Sequence, residues 1–165
     1  MRNSLDSPLT ITRAKSAKQV DACIAIAKAL PDFFTAQGVS DMSRDLQKHL
    51  SYVTMSANET VGFAAINKKN KHVAEISWMA VKPERQRRGI GSALVGHLAK
   101  ELSSQGVKLL EVKTLATHAD LAAFERTYGK TRRFYEKTGF IHLDTIDPYP
   151  AWEPGNPCAI YVKVL

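Results

Sequence analysis

Between Ala74 and Val95 the sequence reads Ala-Glu-Ile-Ser-Trp-Met-Ala-Val-Lys-Pro-Glu-Arg-Gln-Arg-Arg-Gly-Ile-Gly-Ser-Ala-Leu-Val. An apolar run enters a turn containing Gln86, Arg87, Arg88, Gly89, Ile90 and Gly91, and a helix opens there. Glycines let a backbone come close to a ligand. The first N–H groups of a helix lack partners inside it and lie at the positive end of its dipole. With the arginines they make a pocket suited to an anion, above all a phosphate. Two familiar phosphate loops are excluded. A nucleotide-binding loop of the Gly-Lys-Ser/Thr kind would need a lysine where Ser92 stands, and a dinucleotide fingerprint would need a glycine where Leu94 stands. The plain alternative is a strand–turn–helix whose glycines only permit the turn. The basic residues within the turn and the amphipathic helix after it favour the anion.

A second feature is Glu75, alone in an apolar strand. A carboxylate there is costly unless it is paired, for instance with a lysine of the 68–71 turn, or lies near water. His49, His72, His97, His118 and His142 are scattered at no ligand spacing, and Cys23 and Cys158 match no metal or redox pattern. We therefore expect no metal and no disulfide framework.

The elements that must position these residues can be read from periodicity. After a frayed 1–8, Leu9 to Arg13 alternate as a short strand. Ser16 can cap a helix with Val20, Cys23, Ile24 and Ala27 on one face, and Pro31 stops it. Ser40 or Asp41 can cap a second helix, with Met42, Leu46 and Leu50 buried, after a loop running from Asp32 to Gly38. Tyr52–Met55 and Val61–Ile66 form a strand pair. Val73–Val81 is a central strand, followed by a helix from Gly91 to Gln105 and a strand from Val107 to Leu115. A short helix spans Thr127 to Thr138, and Ile141–Ile146 and Ala159–Val164 are the last strands, joined by the proline-rich stretch 147–157. With no repeat or linker, the chain reads as one mixed α/β domain over 1–165.

The chain has 165 residues, 44% hydrophobic and 24% charged, a balance that excludes long disorder. No apolar run approaches the roughly 18 residues of a membrane span, and the first residues lack the apolar stretch of a secretory signal, so we expect a cytoplasmic protein without membrane contact. The formal net charge of +7 asks for an anionic partner.

Gln86-Arg87-Arg88-Gly89-Ile90-Gly91 resembles the Gln/Arg-x-x-Gly-x-Gly/Ala signature of the GNAT superfamily of N-acetyltransferases. Ala74–Val81 resembles that family's fourth strand, Arg132-Arg133-Phe134-Tyr135-Glu136-Lys137-Thr138-Gly139-Phe140 resembles its late helix segment, and the element order matches over residues 9 to 165. The resemblance implies a GNAT-like α/β (α+β) fold. Its mixed, mostly antiparallel sheet of about seven strands splays between strands four and five and carries about four flanking helices. It implies acetyl-CoA as co-substrate, with pyrophosphate on the N–H groups from Arg87 to Ser92 and the pantetheine arm along Met79, Ala80 and Val81 like an added strand. Arg85, Arg87 and Arg88 would add positive field. It also implies a primary-amine acceptor attacking directly in a ternary complex. Glu75 stands where histone-type members keep a base, and Tyr135 where many members keep a proton donor to the CoA sulfur. The alternatives are pairing for Glu75 and core packing for Tyr135.

In that family the acceptor site is built by the first helices with their loop and by the loop joining the last two strands, here 32–41 and 147–156. Both lack Lys and Arg and carry acids and aromatics, with Phe33, Phe34, Tyr149 and Trp152 as candidate lining. Such a mouth suits a cationic small-molecule or peptide amine. Rival readings are a non-catalytic acyl-CoA sensor and a nucleic-acid-binding module. Against nucleic acid, the basic residues are spread over many elements with no basic helix face. Whether chains pair as a homodimer is left open by the sequence.

Overall fold

Among the described residues, seven strands and four α-helices follow one another in the order expected. The computed structural model describes residues 7–117 and 122–165, with the backbone alone for 122–125. The expected frayed start before Ser7 and the histidine at 118 lie outside the described residues. The strands are β1 (Leu9–Arg13), β2 (Leu50–Ser56), β3 (Glu59–Lys68), β4 (Val73–Val81), β5 (Leu109–Leu115), β6 (Ile141–Ile146) and β7 (Cys158–Val164). The helices are α1 (Ala17–Lys28), α2 (Ala36–Lys48), α3 (Ile90–Ser104) and α4 (Ala122–Lys137). The sheet runs β1-β2-β3-β4-β5-β7-β6. Contacts group the chain into two compact units, Met1–Asn67 with Ser77–Leu98, and Lys68–Ile76 with Ala99–Leu165.

In the first unit, β1 and β2 pair antiparallel from Leu9 opposite Ser56 to Arg13 opposite Tyr52. β2 and β3 form a hairpin over Ala57-Asn58, where Ala57 takes φ 53°. Their register shifts between Thr54 and Met55, a bulge. The Ser16 hydroxyl accepts from the Gln19 N–H at 3.3 Å and starts α1, as read from the sequence. α2 begins earlier than expected. Thr35, not Ser40 or Asp41, is its cap, accepting from the Gly38 N–H at 3.0 Å, so Gln37 and Gly38 lie in a helical first turn rather than a loop. A β-hydroxyl ahead of a free N–H outweighs the helix-weakening glycine that follows it. Leu50, expected on this helix, belongs to β2. Cys23, Ile26 and Ala27 of α1, Met42 and Leu46 of α2, and Val53, Phe63, Ala65 and Ala80 of the strands make one core. Each large side chain in it contributes about 1.5–3 kcal/mol through burial.

In the second unit, β4 and β5 pair in parallel from Val73 opposite Leu109 to Ile76 opposite Val112. The ladder ends there, as the expected splay of strands four and five requires. β5 pairs antiparallel with β7, and β7 with β6. α4 starts at Ala122, ahead of the expected Thr127; the extra turn, Ala-Ala-Phe-Glu-Arg, is made of residues with ordinary to good helix propensity. α4 packs against β5 and β6. β6 is the edge strand; its register shifts between His142 and Asp144, and Ile141 and Leu143 are 66% and 63% exposed.

Candidate functional site

The turn between β4 and α3 is built from backbone strain and bracing. A single 3-10 turn, Pro83–Arg85, follows β4, with proline at its start where no N–H is needed. The Gln86 side-chain amide donates to the Val81 carbonyl at 3.1 Å and ties the loop to the strand end. That bond takes up one lone pair of the Val81 carbonyl, and Met79 and Ala80 precede it in β4. Arg87 takes φ 61° and Gly89 φ 78°, both left-handed. This pair of reversals carries the chain into α3, whose first internal hydrogen bond runs from the Ala93 N–H to the Gly89 carbonyl at 2.9 Å. The N–H groups of Ile90, Gly91 and Ser92 precede it and have no acceptor within the helix. Arg87, Arg88, Gly89 and Ser92 are exposed, Gly91 is half-buried and Ile90 is buried. A Cβ built on Gly89 would meet nothing within 4 Å, so the space beside the loop is open. Free N–H groups, two exposed guanidinium groups and open space are the chemistry that suits an anion such as a phosphate.

Arg85 stands apart from its neighbours. Its guanidinium lies 3.3 Å from Glu59, which also holds Lys82, and these contacts keep the Glu59 carboxyl below its usual range. Gly62 on β3, which the sequence reading passed over, lies against the strand end that enters the loop. A Cβ there would come 3.3 Å from the Ala80 carbonyl oxygen and 3.4 Å from Ile90 and Val81.

Glu75 sits opposite Glu111 on β5, and two lysines bridge the pair. Lys113 lies 2.7 Å from each carboxylate, and Lys69 lies 2.8 Å from Glu111 and 3.4 Å from Glu75. Lys69 belongs to the 68–71 turn from which a partner was expected. Burial would raise the Glu111 carboxyl, but hydrogen bonds from Lys113 and Lys69 outweigh it and leave the group below its usual value. Burial opposes charge on Lys113 too, and the hydrogen bonds it donates to Glu111 and Glu75 push its pKa up instead. Both oxygens of Glu75 have ammonium partners, the geometry of the pairing alternative.

Tyr135 is buried on α4, edge-on to Phe134 at 5.2 Å and to Phe140 at 5.3 Å. Burial pushes its pKa up, further disfavouring the phenolate. It can donate a proton but not accept one.

The four candidate acceptor residues fall two in each unit. Phe33 is 39% exposed, and Phe34 packs on Trp78 with ring centroids 6.1 Å apart. Tyr149 and Trp152 meet edge to face at 5.1 Å. Trp78 is half-buried and its indole N–H donates to the Asp45 carboxylate at 2.7 Å. The adjacent Ser77 hydroxyl lies 3.3 Å from the His49 ring nitrogen. Two consecutive residues of β4 thus both make contacts with the end of α2. Among the described residues no group of three or more His, Cys, Asp or Glu could hold a metal, and no helix is long and apolar enough to cross a membrane.

The fold and this loop define an α/β protein whose crossover helix follows a glycine- and arginine-rich turn with left-handed Arg87 and Gly89. A model of the GNAT acetyltransferase domain matches residues 47–142, and the chain belongs to that family. The [ribosomal protein bS18]-alanine N-acetyltransferase of Salmonella typhimurium is 32% identical over 96 residues, 56% of this chain and 65% of that protein, so the match spans slightly under two thirds of the relative's length. A GNAT-family structure from Desulfovibrio desulfuricans has a TM-score of 0.82 at 20% identity, covering 95% of this chain and 99% of that one. A GNAT-family acetyltransferase from Elizabethkingia anophelis, solved with acetyl-CoA bound, has a TM-score of 0.71 at 19% identity, covering 95% and 98%. At these identities the structural likeness is one of fold.

Proposed function

We propose that this chain is an acetyl-CoA-dependent N-acetyltransferase that moves the acetyl group to a primary amine by direct attack in a ternary complex. The observation that carries the reading is the loop from Gln86 to Ser92, with left-handed Arg87 and Gly89 and the open N–H groups at the start of α3. Family membership and the acetyl-CoA in the Elizabethkingia relative support it. When bound, acetyl-CoA supplies the activated thioester.

In this reading Arg87, Arg88 and the N–H groups of Ile90, Gly91 and Ser92 hold its phosphates, and Met79, Ala80 and Val81 offer backbone groups to its pantetheine arm. Tyr135, whose phenolate burial disfavours, donates to the leaving sulfur. Glu75 can take the acceptor's proton only if Lys113 or Lys69 gives way, so its pairing role is the better supported. The Salmonella relative is named for an alanine of ribosomal protein bS18, and the acidic, aromatic stretches 32–41 and 147–156 of this chain support a cationic amine, in a peptide or a small molecule. The free, buried cysteines Cys23 and Cys158 suit a reducing cytoplasm.

Gly91→Glu tests the reading. It adds a bulky anion where phosphate would lie, so acetyl-CoA binding, followed by calorimetry, should be lost while the melting temperature holds. Normal binding by that variant would remove the loop from the cofactor site.

A further inference from the structure

Asp45 is oddly placed for a structural residue. It lies in the last turn of α2, at the negative end of the helix dipole, where a carboxylate is unfavourable. It is half-buried, and among the described residues no Lys or Arg lies within ion-pair distance of it. Asp41, one turn earlier, does have a cation, Arg44, and a donor in Gln37. Asp45 has the Trp78 indole N–H on one oxygen, Oδ2. That bond leaves Oδ1 for another donor. The Trp78 ring in turn carries Phe34 at a 31° tilt, and both rings are half-buried against the core, so a half-buried aromatic pair has one uncompensated carboxylate at its indole edge.

A carboxylate beside an aromatic pair is the chemistry that recognises an ammonium group. We propose that Asp45, Trp78 and Phe34 form a subsite for a cation on the acceptor, separate from the amine that reacts. The separation follows from acid–base chemistry. An ammonium held against a carboxylate keeps its proton, whereas the attacking amine must lose one. The acceptor class is therefore an amine bearing a second fixed positive charge, as in a diamine or a lysine-containing peptide. This inference rests on the amine-acetyltransferase reading. It also accounts for a carboxylate kept at the unfavourable end of the helix dipole.

The test is direct binding by calorimetry to the full chain, with 1,4-diaminobutane against butylamine and a lysine tripeptide against its norleucine counterpart. The parent should prefer the doubly charged member of at least one pair by ten-fold or more, and the pair that shows it identifies the source. Asp45→Asn keeps an oxygen for the indole N–H and removes the charge, so it should bind both members of that pair alike. Should that variant fold poorly, Phe34→Leu, which leaves the Trp78–Asp45 bond in place, should reduce the same preference several-fold. No preference in the parent, or a preference that survives in Asp45→Asn, overturns the subsite. Acetyl-CoA binding by the parent is measured alongside. Its absence removes the acetyltransferase reading, while the amine pairs judge the cation subsite independently.

Discussion

Glu75, Glu111, Lys69 and Lys113 form a closed set of charges, and a closed set behaves differently from four separate ones. Removing one member leaves the others with an uncompensated charge in a half-buried place. Glu75→Gln should therefore lower stability at neutral pH by about 1–2 kcal/mol, read from urea denaturation. The rival role of Glu75 as a base expects the reverse pattern, stability intact and turnover down by roughly 100-fold. The set also has a pH signature. The folded pKa of Glu111 lies below its ordinary 4.5, so its contribution is present above that value and lost as pH falls through the folded one. The folded pKa of Lys113 lies above 10.5, so its contribution is full below that value and lost as pH rises through the folded one. Between those limits this set contributes a constant stability, and the whole protein should show a plateau that ends near pH 9, where the thiols of the unfolded chain ionise while buried Cys23 and Cys158 keep their protons. Denaturation midpoints across pH check it, and a midpoint that rises on acidification below 4.5 would contradict the pairing.

At the scale of elements, the start of α3 sets two demands on Arg87 that can be separated. Its left-handed backbone costs an L-residue about 1 kcal/mol, while its guanidinium serves the anion site. Arg87→Gly relieves the strain and adds unfolded-state freedom of similar size, so the melting temperature should hardly move. Acetyl-CoA affinity should fall with the charge, most clearly at low salt. A variant that loses stability as much as affinity would show that Arg87 holds the loop rather than the ligand. Much of this was legible beforehand. β4 has the expected limits because an apolar run ends cleanly at Lys82-Pro83, and the loop announces itself through adjacent glycines and arginines. The start of α2 was misplaced because Thr35, Ser40 and Asp41 are all good caps and only the fold selects among them. The contacts of Asp45 with Trp78 and of His49 with Ser77 join residues 33 and 28 positions apart, beyond the reach of periodicity. A carboxylate in a helix's last turn was the one local signal available for Asp45.

For the molecule as a whole, net charge and the β6 edge act on the same property. β6 ends the sheet with Ile141 and Leu143 turned to water, and Val164 of β7 is 72% exposed. An exposed apolar edge strand is a template for another chain, and the bulge at His142–Asp144 guards it only in part. What keeps such chains apart at neutral pH is mutual repulsion from a charge of +7. That repulsion vanishes near the isoelectric point of about 9.5. Light scattering should therefore peak close to that pH, and Leu143→Lys should flatten the peak by charging the edge and shifting the isoelectric point upward. If the peak is absent, the bulge is guard enough. The edge strand thus gives the protein a colloidal character of its own, dispersed in neutral buffer and prone to cluster in mild alkali, the range in which an amine loses its proton unaided. Conditions that ease the chemistry of acetyl transfer would bring the chains closest to precipitation.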